Sequence, residues 1–354
     1  MKFTILTALI IHVASAFSSM TPETKNVVSK VAVVGATGKT GRFVVEELLA
    51  RGVPVVAIVR DLAKAKDVLG NQAILEIVKC DLTNRSQIKQ SVKDCDAAIW
   101  CATGFSDAPI DTFWNKAKKV FGVTVSRQSI DAVGVPILAE CFASTNRVAD
   151  GECPKVIMLS SAGVTRPSWS DEKKAIFPGS ADIPIVRLNP FGILGIKAES
   201  EEKLRQSGVN YCIIRPCGLN DDWPTGSRPI LSQGDIAAGR MHRKDVATLL
   251  VDVLSTPEAT GKTFEAITLA GYPPANSIRT ALARLDLDVK GEPSMQQLAA
   301  TYTAMQQLLP GEKQDSSGLA LGQTYEQLDK GQEGRFGPKG EERVGEISTR
   351  PSSN

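Results

Sequence analysis

Histidine is almost missing from this chain. Only His12 and His242 occur in 354 residues, so a histidine-based metal centre or a Ser-His-Asp triad has little to be built from. Cysteine occurs seven times, an odd number, and never as CxxC. Most of these thiols lie in or beside apolar runs such as "EIVKCD", "AAIWCA", "LAECFA" and "YCIIRPC". That is the pattern of buried thiols in a reducing compartment; it argues against both a disulfide framework and a zinc site. A large excess of either charge is also lacking. A formal net charge of +2 argues against nucleic acid as a partner recruited by overall electrostatics. What the chain does have is 42% hydrophobic residues, enough to bury a full core without staples.

The first segment, "MKFTILTALIIHVASAF", carries a lysine, an apolar run too short to span a bilayer comfortably, and the small-residue exit Ala14-Ser15-Ala16 before Phe17. Residues 1–16 read as a signal peptide. Secretion would strand free thiols where oxidant is plentiful. "ASAF" resembles the bipartite presequences of algae with complex plastids, which makes 17–28 a transit-like linker, although Glu23 is atypical there. The expected destination is the chloroplast stroma, with the secretory pathway as the alternative.

Beyond residue 28, short apolar runs alternate with helical patterns. Strands are expected at Val31–Val34, Val55–Val59, Ile74–Val78, Ala97–Trp100, Val156–Leu159, Tyr211–Ile214 and Phe264–Ile267. Their continuous apolar character predicts burial on both faces, as in a parallel sheet covered by helices. Helices are expected over 39–51, 62–69, 85–93, 129–148, 196–208, 244–254, 277–285 and 294–309. In the last of these Met295, Leu298, Tyr302, Met305 and Leu309 form one apolar face, read as core. The alternation defines an α/β fold, a doubly wound parallel sheet (Rossmann fold) with a small C-terminal helical substrate region, over 29–310. Residues 311–354 are polar and glycine-rich with no sustained period, and read as a disordered tail. One segment breaks the rhythm: over 104–128, and most clearly over 111–121, Phe113, Trp114 and Phe121 are interleaved with Lys116, Lys118 and Lys119. Such a pattern meets a thylakoid surface, RNA or a protein partner, or is simply an amphipathic helix with a solvated basic side; the last is preferred.

"VAVVGATGKTGRFVVEELLARG" leaves a buried strand through glycines at 35, 38 and 41 and starts a helix at once. Gly35 permits the tight turn, Gly38 lets backbone amides approach a pyrophosphate, and Gly41 lets the helix pack close to the sheet. The helix N-terminus then offers N–H groups and a positive dipole end to phosphates. A strand before and a second strand after this loop are the required context for dinucleotide binding. The second strand ends in Arg60, where an acidic residue would bind a ribose 2′-hydroxyl. A guanidinium there accepts a 2′-phosphate, which places NADP(H) ahead of NAD(H), unless Arg60 pairs with Asp61 or Asp81.

Together with "VIMLSSAGV", "GILGIKAESEEKLRQSGVNYCIIRPCGL" and "HRKDVATLLVDVL", the glycine motif resembles the atypical short-chain dehydrogenase/reductases of the NmrA-like, NAD(P)-binding group. The resemblance covers about residues 29–270, and is nearest to cyanobacterial and plastid members with roles in thylakoid complex assembly and translation support. It implies that Thr37, Gly38 and Thr40 line the phosphates beside Gly35 and Gly41, and that Arg60 meets the adenosine phosphate. Asp81 and Leu82 would meet the adenine; for Asp81 the alternative is a helix cap. Ala102, Thr103 and Gly104 would border the nicotinamide ribose, and Pro216 and Gly218 would close over the nicotinamide.

Ordinary members of that superfamily use Ser, Tyr and Lys, the tyrosine four residues before a lysine that lowers its pKa. Here Ser161 matches the serine and Lys197 the lysine, but the tyrosine position is Ile193. None of Tyr211, Tyr272, Tyr302 and Tyr325 has a lysine four residues on. Ser161 and Lys197 remain the catalytic candidates, with Lys197 also able to hold ribose hydroxyls. Asn189 and Cys217 are weaker proton donors, and His242 is expected to pack beside a helix capped by Asp245. Two functions follow: an NADPH-dependent oxidoreductase of a small plastid substrate, or a non-catalytic NADP(H)-sensing factor for thylakoid complexes or their RNA.

Overall fold

The computed structural model describes residues 28–103, 129–143, 152–189, 192–308, 318–321, 323, 328, 331–334 and 336–341. The N-terminal segment, the aromatic-lysine insertion, Gly104 and Leu309 lie outside the described residues.

Eight strands form one sheet in the order β3-β2-β1-β4-β5-β6-β8-β7. They are β1 (Val31–Val34), β2 (Val55–Val59), β3 (Leu75–Lys79), β4 (Ala97–Trp100), β5 (Val156–Leu159), β6 (Tyr211–Pro216), β7 (Arg228–Ser232) and β8 (Lys262–Leu269). All neighbours pair in parallel except β7 and β8. The helices are α1 (Gly41–Ala50), α2 (Leu62–Leu69), α3 (Arg85–Val92), α4 (Ile130–Phe142), α5 (Asp171–Ile176), α6 (Pro178–Ala181), α7 (Pro184–Leu188), α8 (Ile193–Gln206), α9 (Arg243–Asp252), α10 (Arg279–Ala283) and α11 (Met295–Leu308).

The double winding follows from β1. Its side chains alternate between faces, and each face finds an apolar partner layer. Val31 and Val33 join Val44, Val45 and Leu48 of α1 and Leu250 of α9. Ala32 and Val34 join Trp100 with Val135 and Leu138 of α4. Each fully buried Val or Leu contributes roughly 1.5–3 kcal/mol. α1 and α9 run side by side in the same direction: Phe43 meets His242 at one end and Arg51 pairs with Asp252 at the other.

β3 departs from the expected burial on both faces. As an edge strand it is half-exposed, and its Glu76 pairs with Lys30. β7 was not evident in sequence. It is a partly exposed antiparallel edge containing Pro229, a residue tolerated where no ladder bond is required. α8 begins three residues earlier than its apolar pattern suggests, after Gly192 in left-handed geometry (φ +67°).

Beyond the C-terminal strand ends, Trp169, Phe177, Ile236, Leu298 and Met305 form a separate cluster. Phe177 stands edge-on to Trp169 and to Tyr302, with centroids 6.0 and 5.2 Å away. Leu298 and Met305 of α11 are thus core, whereas Met295 is exposed, contrary to its place in the expected stripe. The segment after residue 311 is also not wholly without structure. Leu319, Ala320 and Leu321 are buried, and Arg187 donates to the Leu319 carbonyl at 2.8 Å.

Candidate nucleotide-binding site

The glycine loop is shaped by close approach at two points. Gly35 has φ +78°, and a Cβ there would lie 2.7 Å from the backbone N and Cα of Ala102. Glycine therefore lets the exit of β1 lie against the exit of β4. The Gly38 N–H donates to the Gly35 carbonyl at 2.9 Å, closing the turn, and a Cβ on Gly41 would reach 2.2 Å from that same oxygen. The first residue of α1 is thereby pressed onto the turn. Gly38 is exposed, Thr37 half-buried and Thr40 buried. No acidic residue occupies the first turn of α1. A bare backbone cradle at a helix start, with no competing carboxylate, fits a dinucleotide pyrophosphate.

On the adenosine side, Arg60 is exposed at the end of β2 and has no ion pair among the described residues. The two acids weighed as its partners are engaged elsewhere. Asp61 caps α2, accepting from the N–H groups of Ala63 and Lys64 at 2.9 and 3.1 Å. Asp81 accepts from the Thr83 N–H and hydroxyl at 2.9 and 2.8 Å, bonds that hold its carboxyl below the usual range. Asp81 is not the cap of the following helix. Asn84 caps α3, bonding the Gln87 N–H, and Gln87 in turn accepts from the Asp81 N–H at 2.8 Å. Leu82 is half-buried beside α4, where a Cβ on Gly134 would lie 2.7 Å from the Leu82 carbonyl and 2.5 Å from Trp100.

On the other side of the switch point, Ala102 is buried and Thr103 exposed. Lys197 on α8 is buried, with its ammonium 3.8 Å from Asp131 of α4. Asp131 also accepts from the Trp100 indole N–H at 3.1 Å. Burial pushes the Cys101 thiol up to about 12 even though the Lys197 ammonium opposes it, which puts that ammonium near the end of β4. Sequence reasoning missed Asp131. An acid inside the apolar run "IDAVGVPILAECF" was the available signal, because a buried carboxylate needs a partner.

Ser161 is half-buried and donates its hydroxyl to the Ala162 carbonyl at 2.9 Å. Ile193 is buried at the start of α8, in a small cluster with Val164 and Leu194. Pro216 ends β6 buried, and Gly218 follows with φ +31°, where a Cβ would meet the Gly239 carbonyl at 2.3 Å. The weaker donor candidates are held elsewhere. Asn189 accepts from the Leu194 N–H at 3.1 Å, and Cys217 is buried with its thiol on the Ala237 carbonyl, its pKa raised by burial. His242, not Asp245, caps α9: its Nδ1 accepts from the Lys244 N–H at 2.9 Å, while Asp245 accepts from the Gly226 N–H at 2.8 Å.

Behind these groups lies a buried ionic network. Glu201 accepts from Ser160 at 2.5 Å and from Arg215 at 2.5 and 3.0 Å, and pairs with Arg205 at 2.9 Å. Burial raises the Glu201 pKa, but the Arg215 and Arg205 guanidiniums outweigh it and hold the carboxyl below its usual value. Asp235 accepts from Gly163 and Thr165 and sits 3.4 Å from Arg166. Glu265 accepts from Ser232 at 3.0 Å, and its other oxygen is buried with no hydrogen-bond partner within 3.5 Å among the described residues. Burial first, and the Asp235 carboxylate second, push Glu265 up to about 7.

Residues 35–257 match a protein family described as NAD(P)H-binding. An uncharacterized chloroplastic protein of Arabidopsis thaliana is 31% identical over 247 residues, covering 69% of this chain and 78% of the relative. Protein TIC 62, chloroplastic, of Pisum sativum is 29% identical over 251 residues, 64% of this chain but only 40% of that protein. Among solved structures, one described as an NAD-dependent epimerase/dehydratase from Bacillus halodurans superposes with a TM-score of 0.50 at 22% identity, covering 73% of this chain and all of the other. That last likeness is one of fold.

Proposed function

The chain belongs to the NAD(P)H-binding family, as an atypical short-chain dehydrogenase/reductase with chloroplastic relatives, and from that premise we propose that it is an NADP(H)-dependent oxidoreductase of the plastid. Residues 29–310 form the working unit in this reading, and the N-terminal 28 residues direct it. Gly35, Thr37, Gly38, Thr40 and Gly41 hold the pyrophosphate, and Asp81 and Leu82 border the adenine. Ala102, Thr103 and Gly104 meet the nicotinamide ribose, Lys197 its hydroxyls, and Pro216 and Gly218 the ring. Bound NADPH supplies the hydride; Ser161 orients a substrate carbonyl.

Arg60 is the observation that carries NADP(H) over NAD(H). It stands exposed at the β2 exit, and both neighbouring carboxylates are committed to backbone or threonine partners. A fork of donors with no acceptor among the described residues suits a 2′-phosphate. In calorimetric titrations the protein should bind NADP⁺ more tightly than NAD⁺, and Arg60→Gln should remove most of that difference, about tenfold or more, while NAD⁺ binding stays. Equal affinities in the native protein would refute the preference.

A second reading rests on Ile193. Its side chain is packed into an apolar cluster where the superfamily places a phenol, and Lys197 is paired with Asp131. This supports a non-catalytic NADP(H)-sensing factor. The two readings separate on turnover: NADPH absorbance lost with a quinone, aldehyde or enone supports the oxidoreductase. NADPH bound but never oxidised across that panel supports the sensor.

A further inference from the structure

Two cations gather on one aromatic ring where α1 and α9 begin. The Arg42 guanidinium lies 4.6 Å from the Phe43 ring centroid, and the Lys244 ammonium 5.6 Å from the same centroid. His242, the cap of α9, packs against that ring with centroids 6.2 Å apart. Among the described residues neither Arg42 nor Lys244 has an ion pair, and the Arg42 Nε is buried without a hydrogen-bond partner. Other cations of the same two helices are neutralised. Arg51 pairs with Glu47 and Asp252 at 2.7 Å, and Arg243 pairs with Asp221 at 2.7 Å. Asp245, the carboxylate in the first turn of α9, accepts from the backbone at Gly226. The positive ends of two parallel helices and two cations without an ion pair gather there, Asp245 is the one carboxylate in the two first turns, and an anion between the cations would relieve the repulsion that remains. A cation over a half-buried ring gains about 1 kcal/mol, which offsets part of that repulsion and leaves the buried Nε without an acceptor among the described residues.

We propose that Arg42 and Lys244, gathered beside Phe43, form an oxyanion subsite that takes a phosphate group. The inference stands on these cations alone and does not require the nicotinamide reading. The group has two possible sources, the pyrophosphate of a dinucleotide on the adjoining glycine loop or a separate phosphate-bearing ligand. Calorimetric titration of inorganic pyrophosphate into the full chain, with and without saturating NADP⁺, distinguishes them. The expected result is binding that Arg42→Gln and Lys244→Gln each weaken at least about tenfold, that Arg42→Lys and Lys244→Arg largely restore, and that Arg243→Gln leaves alone. Competition by NADP⁺ assigns the subsite to the dinucleotide, and persistence beside NADP⁺ assigns it to a second ligand. Absence of pyrophosphate binding, or binding indifferent to both glutamine variants with unchanged melting temperatures, overturns the proposal. NADP⁺ giving no heat while pyrophosphate still binds would instead sink the nucleotide reading and leave this one standing.

Discussion

Gly41 and Gly52 show how differently two glycines can matter. A methyl group at 41 would enter the space of the Gly35 carbonyl at 2.2 Å, so the turn or the helix must move. At 52 the backbone is left-handed (φ +73°) but nothing lies within 4 Å of the added carbon. Gly52→Ala should therefore cost only the conformational penalty, about 1 kcal/mol. Gly41→Ala should cost about 3 kcal/mol and abolish NADP⁺ binding, because the deformation falls on the phosphate cradle. Thermal melts with and without NADP⁺ check both. Equal losses for the two variants would mean the loop tolerates the shift.

At the scale of elements, α8 is tied to β6 by charge as well as by packing. Glu201 bridges Arg215 of the strand and Arg205 of its own helix, and receives the Ser160 hydroxyl from the end of β5. Glu201→Gln leaves the buried Arg215 guanidinium without its paired carboxylate, while Arg205 keeps Glu202 and Asp288, and should destabilise by about 3–5 kcal/mol in urea unfolding. A loss under 1 kcal/mol would show that water replaces the carboxylate. The elements around the nucleotide were legible in sequence for a local reason. β1, the glycine turn and α1 are consecutive, so spacing alone states their geometry. Lys197 was legible by resemblance, but its contact with Asp131 was not, because α4 and α8 meet only through the fold. β7 escaped notice because a half-exposed edge strand has no continuous apolar run to announce it. His242 and Asn84 were missed as caps for a simpler reason. A nearby aspartate was the better-known capping residue in each stretch, and both aspartates had other partners.

Across the whole molecule, buried acids of opposite bias set the pH response. Glu265 is held near 7, above its unfolded value of about 4.3, so folding favours its protonated form. Its contribution is therefore fully present below about pH 4.3 and is lost as pH rises toward about 7. Glu201 behaves in the opposite sense, losing its contribution in acid as its depressed carboxyl is protonated. Glu265→Gln fixes the neutral form, so its stability relative to the native protein should improve steadily between pH 5 and pH 7.5. Parallel stability curves over that range would show that Glu265 does not titrate in it.

The order of the sheet also bears on how the chain leaves the ribosome. The first four strands, residues 31–100, are laid down in sequence and are neighbours, whereas β6 gains its second neighbour only with Lys262–Leu269. A nascent chain stopped before that point presents β6 as an open rim, with unpaired amides flanking Cys212, Ile213 and Ile214. Truncated products ending short of Leu269 should thus adhere to one another, and the shortest soluble fragment should end beyond it.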